Sequence, residues 1–388
     1  MSIDTIRNSV DGDSTLVSWE TWNRIKHTER FVVLSSVLFV LLFSYAFGRA
    51  PVVSDVLRGY HGLAMTILIW SIFALGFNLL LGQTGLLSFG HAMFFGTASY
   101  AAALFAIHVY NEPLLVVLVG MLAAVALGVV AALILLRLHT VYFSIVALAI
   151  AQFLYFLSRE PLVEVTKGIN GLDIPRVALL GIVDLEHEYG GLLGTLLVNN
   201  LYIFIGVFFV AVVALITRIR KSPYGLIFKS IRENERRTAF VGLDVWRYKF
   251  AAFLLSAAIV GLAGGLMAVN TQFAGVERLY WSVSGDIVVM TVLGGLGTLA
   301  GPVIGTFVFF YFKGIVNGFP TLGNYWLLLL ALSFTAVVWV YPDGIWGMLA
   351  DFARVLRDPK ELAAKTRRWL SNLVPGGDGG WRCSKPAG

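Results

Sequence analysis

The chain has 388 residues, 58% of them hydrophobic and 13% charged, with a formal net charge of +6 and a mean hydropathy of +0.80. A water-soluble fold of this length cannot hide so much apolar surface, so the solvent for most of the chain is lipid. Cys383 is the single cysteine, which excludes an intrachain disulfide and a cysteine metal cluster. The cations lie in blocks between apolar runs, a pattern that writes membrane topology and not a nucleic-acid surface.

In chain order, residues 1–30 are polar and mixed in charge and read as a cytoplasmic N-terminal extension. The first apolar run starts only at Phe31, which does not fit a cleaved signal peptide. A helix needs about 20 predominantly apolar residues to cross the hydrocarbon. Candidate spans are 31–47, 61–81, 91–109, 114–136, 140–157, 199–217, 249–270, 282–298, 301–317 and 325–341. The eighth is short and glycine-rich, and reads as a half-helix or a re-entrant segment. These runs are continuous, not alternating, and about twice the length of a barrel strand. The fold class is therefore an all-α integral membrane protein of about ten membrane segments, with 31–341 forming one transmembrane domain.

The loops give the orientation. From Arg218 to Lys249 there are nine Lys/Arg against three Asp/Glu, and the tail after Pro342 carries eight Lys/Arg. The connection 158–198 holds three Lys/Arg against six Asp/Glu. By the positive-inside rule the loop 218–249 and the tail 342–388 are cytoplasmic and 158–198 is external, which places both termini inside. The Arg49/Arg58 loop then falls outside, against the rule. Within the tail, Asp358 and Pro359 start an amphipathic helix at about 359–374, with Leu362, Thr366, Trp369, Leu370 and Leu373 on one face. That suits a helix lying on membrane lipid, or a disordered basic tail; the residues beyond it read as disordered.

Inside the spans, glycine clusters in "LLLGQTGLLSFGHAMFFGTASYAAAL" and "TVLGGLGTLAGPVIGTF". One reading is tight helix packing through small residues; the other is helix breaks lining a translocation path. One cluster lies in each half of the chain, which hints at an internal repeat. Few polar groups lie at membrane depth: Asn78, Gln83, His91, Gln152, Asp286 and Lys313. An ionisable group at the bilayer centre costs about 2.5–3.5 kcal/mol on insertion scales. Asp286, in "WSVSGDIVVM", is either a functional group, or a residue at the external interface, or a cap at the start of the short eighth span beside Ser284. His91 either bonds a neighbouring helix or meets a ligand. Asn78, Gln83, His91 and Asp286 form the candidate translocation path.

No G-x-x-x-x-G-K-[ST] phosphate loop, catalytic triad, metal-ligand spacing or arginine ladder is present. An enzyme reading has nothing to stand on, and no cofactor or metal is expected.

The stretch "SPYGLIFKSIRENERRTAFVGLDVWRYK" joins the sixth and seventh spans. Ser222 is a good N-cap residue, with Pro223 at the first helical position. Asn234 can cap a second short helix, "ERRTAFV", that starts with Glu235, a favourable charge there, and ends at Gly242. One reading is a positive loop against anionic lipid. The other is a docking surface for a protein partner, because Leu226, Ile227, Phe228, Ala239 and Phe240 stand among the cations.

The segments "FNLLLGQTGLLSFGHAMFFGTASYAAA", "YFSIVALAIAQFLYFL", "TKGINGL", "SPYGLIFKSIRENERRTAFVGLDVWRYKFAAFLLSAAIVGLAGGL" and "SGDIVVMTVLGGLGTLAGPVIG" occur in this order between about Thr66 and Pro342. In them the chain resembles LivM-type permease subunits of branched-chain amino-acid ATP-binding-cassette importers. The resemblance implies a second permease subunit as partner in a heterodimer, with two ATPase subunits and an extracytoplasmic solute-binding protein. It implies that Asn234, Glu235, Arg236, Arg237, Ala239 and Gly242 form a coupling helix that contacts an ATPase. Related permeases also carry urea, short amides or aromatic acids. A stand-alone secondary transporter would need more coupling carboxylates than this chain shows, and a membrane scaffold or receptor would need no coupling helix.

Overall fold

The structure is a computed structural model that describes residues 32–43, 61–175, 178–179, 183–185, 199–317, 325–341 and 343–349. The extension 1–30, Arg49, Arg58, the expected tail helix at 359–374 and Cys383 lie outside the described residues. A helix stands at each of the ten expected positions. These are α1 (Val32–Phe43), α2 (His61–Asn78, continued by a π-helical turn, Leu79–Thr84), α3 (Ala92–His108), α4 (Pro113–Leu135) and α5 (Thr140–Arg159). After a short α6 (Val163–Thr166) and three two-residue strands, β1 (Leu172–Asp173), β2 (Ala178–Leu179) and β3 (Val183–Asp184), comes α7 (Asn200–Lys221). Then come α8 (Pro223–Glu233), α9 (Glu235–Phe240), α10 (Val245–Thr271), β4 (Phe273–Ala274), a 3-10 turn (Val276–Leu279), α11 (Trp281–Gly294), α12 (Gly301–Asn317) and α13 (Trp326–Val340). Among the described residues five helices are long and apolar enough to cross a membrane: Gly62–Thr84, Pro113–Leu135, Val141–Arg159, Asn200–Lys221 and Val245–Thr271. The protein is an all-α, multi-pass membrane protein, since only a helix satisfies its own backbone in hydrocarbon over runs of this kind.

The helices overrun the apolar runs where cations end them. α7 continues through Arg218 to Lys221 and α10 begins at Val245, so the connection expected over 218–249 narrows to 222–244. Long cationic side chains let a helix keep its backbone bonds past the apolar zone while their heads reach water. α11 does the opposite and stops at Gly294, short of the expected 298. Gly295 (φ +118°) and Gly297 (φ +74°) turn the chain out of the helical region, and the Thr298 hydroxyl accepts the Gly301 N–H at 3.0 Å to start α12.

The connections sort to two opposite ends of the bundle. At one end Ile174 N–H donates to Gln272 (2.8 Å), the Asn111 amide donates to Pro175 (3.3 Å), and β1 pairs antiparallel with β4, Leu172 facing Ala274. At the other end α8 and α9 meet the π turn of α2 and the start of α10. The described parts of the cation-rich and acid-rich connections therefore stand on opposite ends.

The core is built around α10, which packs along α4, α3 and α2. Backbones touch there: a Cβ on Gly264 would collide with the Phe95 carbonyl, and one on Gly261 with Ala124. In lipid such close approach and interhelical hydrogen bonds replace hydrophobic burial as the force between helices. The second glycine cluster holds both close helix packing and a helix break, at different positions. Gly294 and Gly305 let α11 and α12 cross backbone to backbone, while Gly295 and Gly297 break the chain between them.

Candidate functional site: a capped helix and its seat

α8 is amphipathic. Gly225, Phe228 and Ile231 face the body of the protein, and Leu226 faces out. Pro223 opens it as expected, and Ser222 holds the N-cap position in extended backbone. Its hydroxyl, however, donates back to Ile219 at 2.6 Å and caps nothing, because the chain doubles back on the end of α7 and brings that carbonyl closer than the α8 amides.

α9 is short and fastened at both ends. Asn234 Oδ1 accepts the Arg237 N–H at 2.9 Å, and the Thr238 hydroxyl donates to the Asn234 carbonyl at 3.0 Å. Glu235 lies in the first turn, where the helix dipole favours an acid, and its Oε2 meets Lys249 Nζ of α10 at 2.6 Å. At the other end Gly242 N–H reaches the Ala239 carbonyl (3.0 Å) with φ +91°, and Asp244 accepts the Arg247 N–H (3.4 Å) to start α10. Six residues make a helix too short to stand alone in water, so these bonds hold it. The result is a stiff projection. Arg236, Arg237 and Ala239 are exposed, Phe240 is 90% exposed and Val241 77% exposed.

Beneath it lies a polar seat. Asn78 Oδ1 accepts Gly297 N–H at 2.9 Å and its Nδ2 donates to the Thr298 carbonyl at 2.7 Å. Gln83 Nε2 donates to the Gly297 carbonyl at 3.4 Å. Arg232, on the last turn of α8, donates from Nη1 to the Gly82 carbonyl at 2.5 Å.

The four expected path residues are not brought together. Asn78 and Gln83 share the seat. His91, at the head of α3, is fully buried among Phe77, Phe94 and Phe253, whose rings stand steeply to it. The Ser256 hydroxyl has one proton and gives it to the Gly76 carbonyl (2.7 Å), so at 3.0 Å it accepts from His91 Nε2–H. His91 thus ties α2, α3 and α10 together through its Nε2 proton. Asp286 is half-buried in α11, with Lys313 of α12 as its charged neighbour; the Lys313 ammonium also sits 4.8 Å from the Trp326 ring centroid. Asp286 caps nothing: Tyr280 holds the N-cap position of α11, and the Ser284 hydroxyl accepts the Ala92 N–H at 2.9 Å. On α5 the Gln152 Nε2 is buried without a hydrogen-bond partner among the described residues.

Two arginines carry weight that the sequence does not announce. Along the chain Arg232 is one loop cation among nine. Arg278, in the 3-10 turn, donates to the hydroxyls of Ser99 and, at 2.6 Å, Thr271. Burial pulls its guanidinium down to about 10, which leaves it charged at neutral pH. Gly82 lies 150 positions from Arg232 and Ser99 179 positions from Arg278, so no local signal marks these contacts.

The model of the family described as branched-chain amino acid transport system / permease component matches residues 59–338. The chain is similar to the high-affinity branched-chain amino acid transport system permease protein LivM of Escherichia coli (strain K12), 28% identical over 307 residues that cover 75% of this chain and 71% of that protein. It is similar to the same-named protein of Salmonella typhimurium, 27% identical over the same shares. A probable branched-chain amino acid transport permease protein LivH of Methanocaldococcus jannaschii is 23% identical over 52% of this chain and 71% of its own. No solved structure matches the chain.

Proposed function

The chain belongs to the branched-chain amino acid transport permease family, and on that premise we propose that it forms the translocation path for branched-chain amino acids in an ATP-binding-cassette importer and couples to a separate ATPase through residues 234–242. The observation that supports this reading is α9 itself, fastened at Asn234 and Gly242 and presenting Arg236, Arg237, Ala239 and Phe240 outward from one end of the bundle. A lipid-facing positive loop needs cations but not a stiff helix capped at both ends.

In this reading the chain crosses the membrane ten times, the α8–α9 end and both termini are cytoplasmic, and 158–198 is external. A second permease subunit completes the path, two ATPase subunits receive the docking helices, and an extracytoplasmic binding protein delivers the solute. Closure of the ATPase dimer moves α9, and because α9 is rigid the attached spans move with it and switch access between the two sides. The candidate path residues Asn78, Gln83, His91 and Asp286 act from within those spans. The test is reconstitution with the ATPase, partner permease and binding protein, measuring ATP-dependent uptake of leucine, isoleucine and valine against urea and short amides. Uptake of the branched-chain set alone is the expected result. Uptake without ATP refutes the importer reading, and uptake of urea or amides in preference refutes the substrate.

A further inference from the structure

Between the docking helix and the core stands one polar junction, built from three places far apart in the chain. Arg232 lies two residues before Asn234, the cap of α9, so its backbone moves with the base of that helix. Its guanidinium holds the Gly82 carbonyl inside the π turn that ends α2. Gly82 in turn lies on the break between α11 and α12: a Cβ on Gly82 would meet Gly297 N at 2.8 Å, and one on Gly297 would meet Arg232 Nη1 at 3.0 Å and the Gly82 carbonyl at 3.2 Å. Asn78 clamps that break through both atoms of its amide. Arg232, Gly82 and Gly297 are therefore in mutual contact, with no side-chain cushion between the backbones.

We propose that Arg232 is a positioning residue of the transport cycle, the strut through which displacement of α9 enters the π turn of α2 and the α11–α12 break together. This rests on the docking role proposed for α9. Four features support it. α2 is enclosed by other helices over most of its length and packs on α10, α12, α7 and α11, so movement delivered at Gly82 reaches the middle of the bundle. A π turn contains one residue more than an α turn, so converting it to an α turn would rotate the downstream chain by roughly 100° about the axis. Gly297 (φ +74°) in the contact and Gly85 (φ +77°) just beyond it are glycines, the residue with the widest dihedral freedom. Among the described residues α9 itself has few other anchors: buried Thr238 and the Glu235–Lys249 pair.

The test compares Arg232→Gln, which is too short to reach the carbonyl, with Arg232→Lys, which keeps a donor of similar reach. Hydrogen exchange on the isolated chain comes first. Arg232→Gln speeds exchange at 79–85 and 295–301, and change confined to 222–233 overturns the strut. The second measurement uses the full reconstituted complex and reads solute taken up per ATP hydrolysed. Arg232→Gln lowers that ratio by about tenfold, within the range by which coupling residues act, with subunits still co-purifying, and Arg232→Lys recovers much of it. A ratio equal to wild type overturns the proposal, and so does a loss that Lys does not relieve and that tracks failed assembly. The exchange result does not depend on the ATPase. Failure of the docking role itself shows separately, as normal transport by Gly242→Val.

Discussion

Gly242→Val isolates the stiffness of α9 from everything else in the protein. Gly242 has φ +91°, and a Cβ built on it meets nothing within 4 Å. The substitution therefore creates no clash, and its whole cost is conformational. An L-residue in the left-handed region costs about 1–2 kcal/mol, and a β-branched one lies at or above the top of that range. At about 2 kcal/mol the correctly terminated helix becomes roughly 30-fold less populated relative to frayed forms. α9 has six residues, and little besides its two ends holds it, so fraying moves Ala239 and Phe240 out of register. The series Gly242→Asn, Gly242→Ala and Gly242→Val grades the cost, since Asn tolerates this conformation better than Ala and Ala better than Val. The assay is reconstitution with the partner subunits, reading uptake, ATPase rate and co-purification together, beside thermal unfolding of the isolated chain. Uptake falls in the order Gly, Asn, Ala, Val while the unfolding temperature stays within a degree or so, because the spans do not feel this position. A Val variant that assembles and transports like wild type refutes the docking role, leaving the cationic stretch as a topology anchor.

Arg236→Glu weakens ATPase docking through charge, and the loss shrinks as salt rises because Arg236 is exposed; an effect independent of salt excludes a charge contact. Ser256→Ala strands the His91 Nε2–H and lowers stability by about 1–2 kcal/mol; an unchanged unfolding temperature in detergent argues against the His91–Ser256–Gly76 tie. In a Cys383→Ser background, Ile169→Cys (67% exposed) is labelled from outside and Phe240→Cys (90% exposed) only after permeabilisation; the reverse pattern inverts the topology. Purified chain free of partners binds no ATP at stoichiometric level, and nucleotide binding by equilibrium dialysis contradicts the missing phosphate loop.

Part of this molecule is set by short-range chemistry and can be read along the chain. Each of the ten apolar runs carries a helix, and for the five described ones long enough to cross a membrane a helix is the one way to satisfy the backbone in hydrocarbon over that length. The start of α9 at Asn234 and its end at Gly242 were legible because a cap is a contact between residues three or four apart. The contrast between cation-rich and acid-rich connections was legible as composition along the chain. Local signals also misled where a competing partner came closer, as when Ser222 turned its hydroxyl to Ile219 and left α8 uncapped. The remainder depends on contacts that exist only in the folded bundle. His91 and Ser256 are 165 positions apart, Arg232 and Gly82 150, and Asn78 and Gly297 219. Each pair consists of ordinary residues whose meaning comes from the helix crossing that brings them together. The π turn in α2 belongs to the same class: nothing in "LLLGQT" demands it, and the glycine backbone it meets at residue 297 is supplied from the other half of the chain.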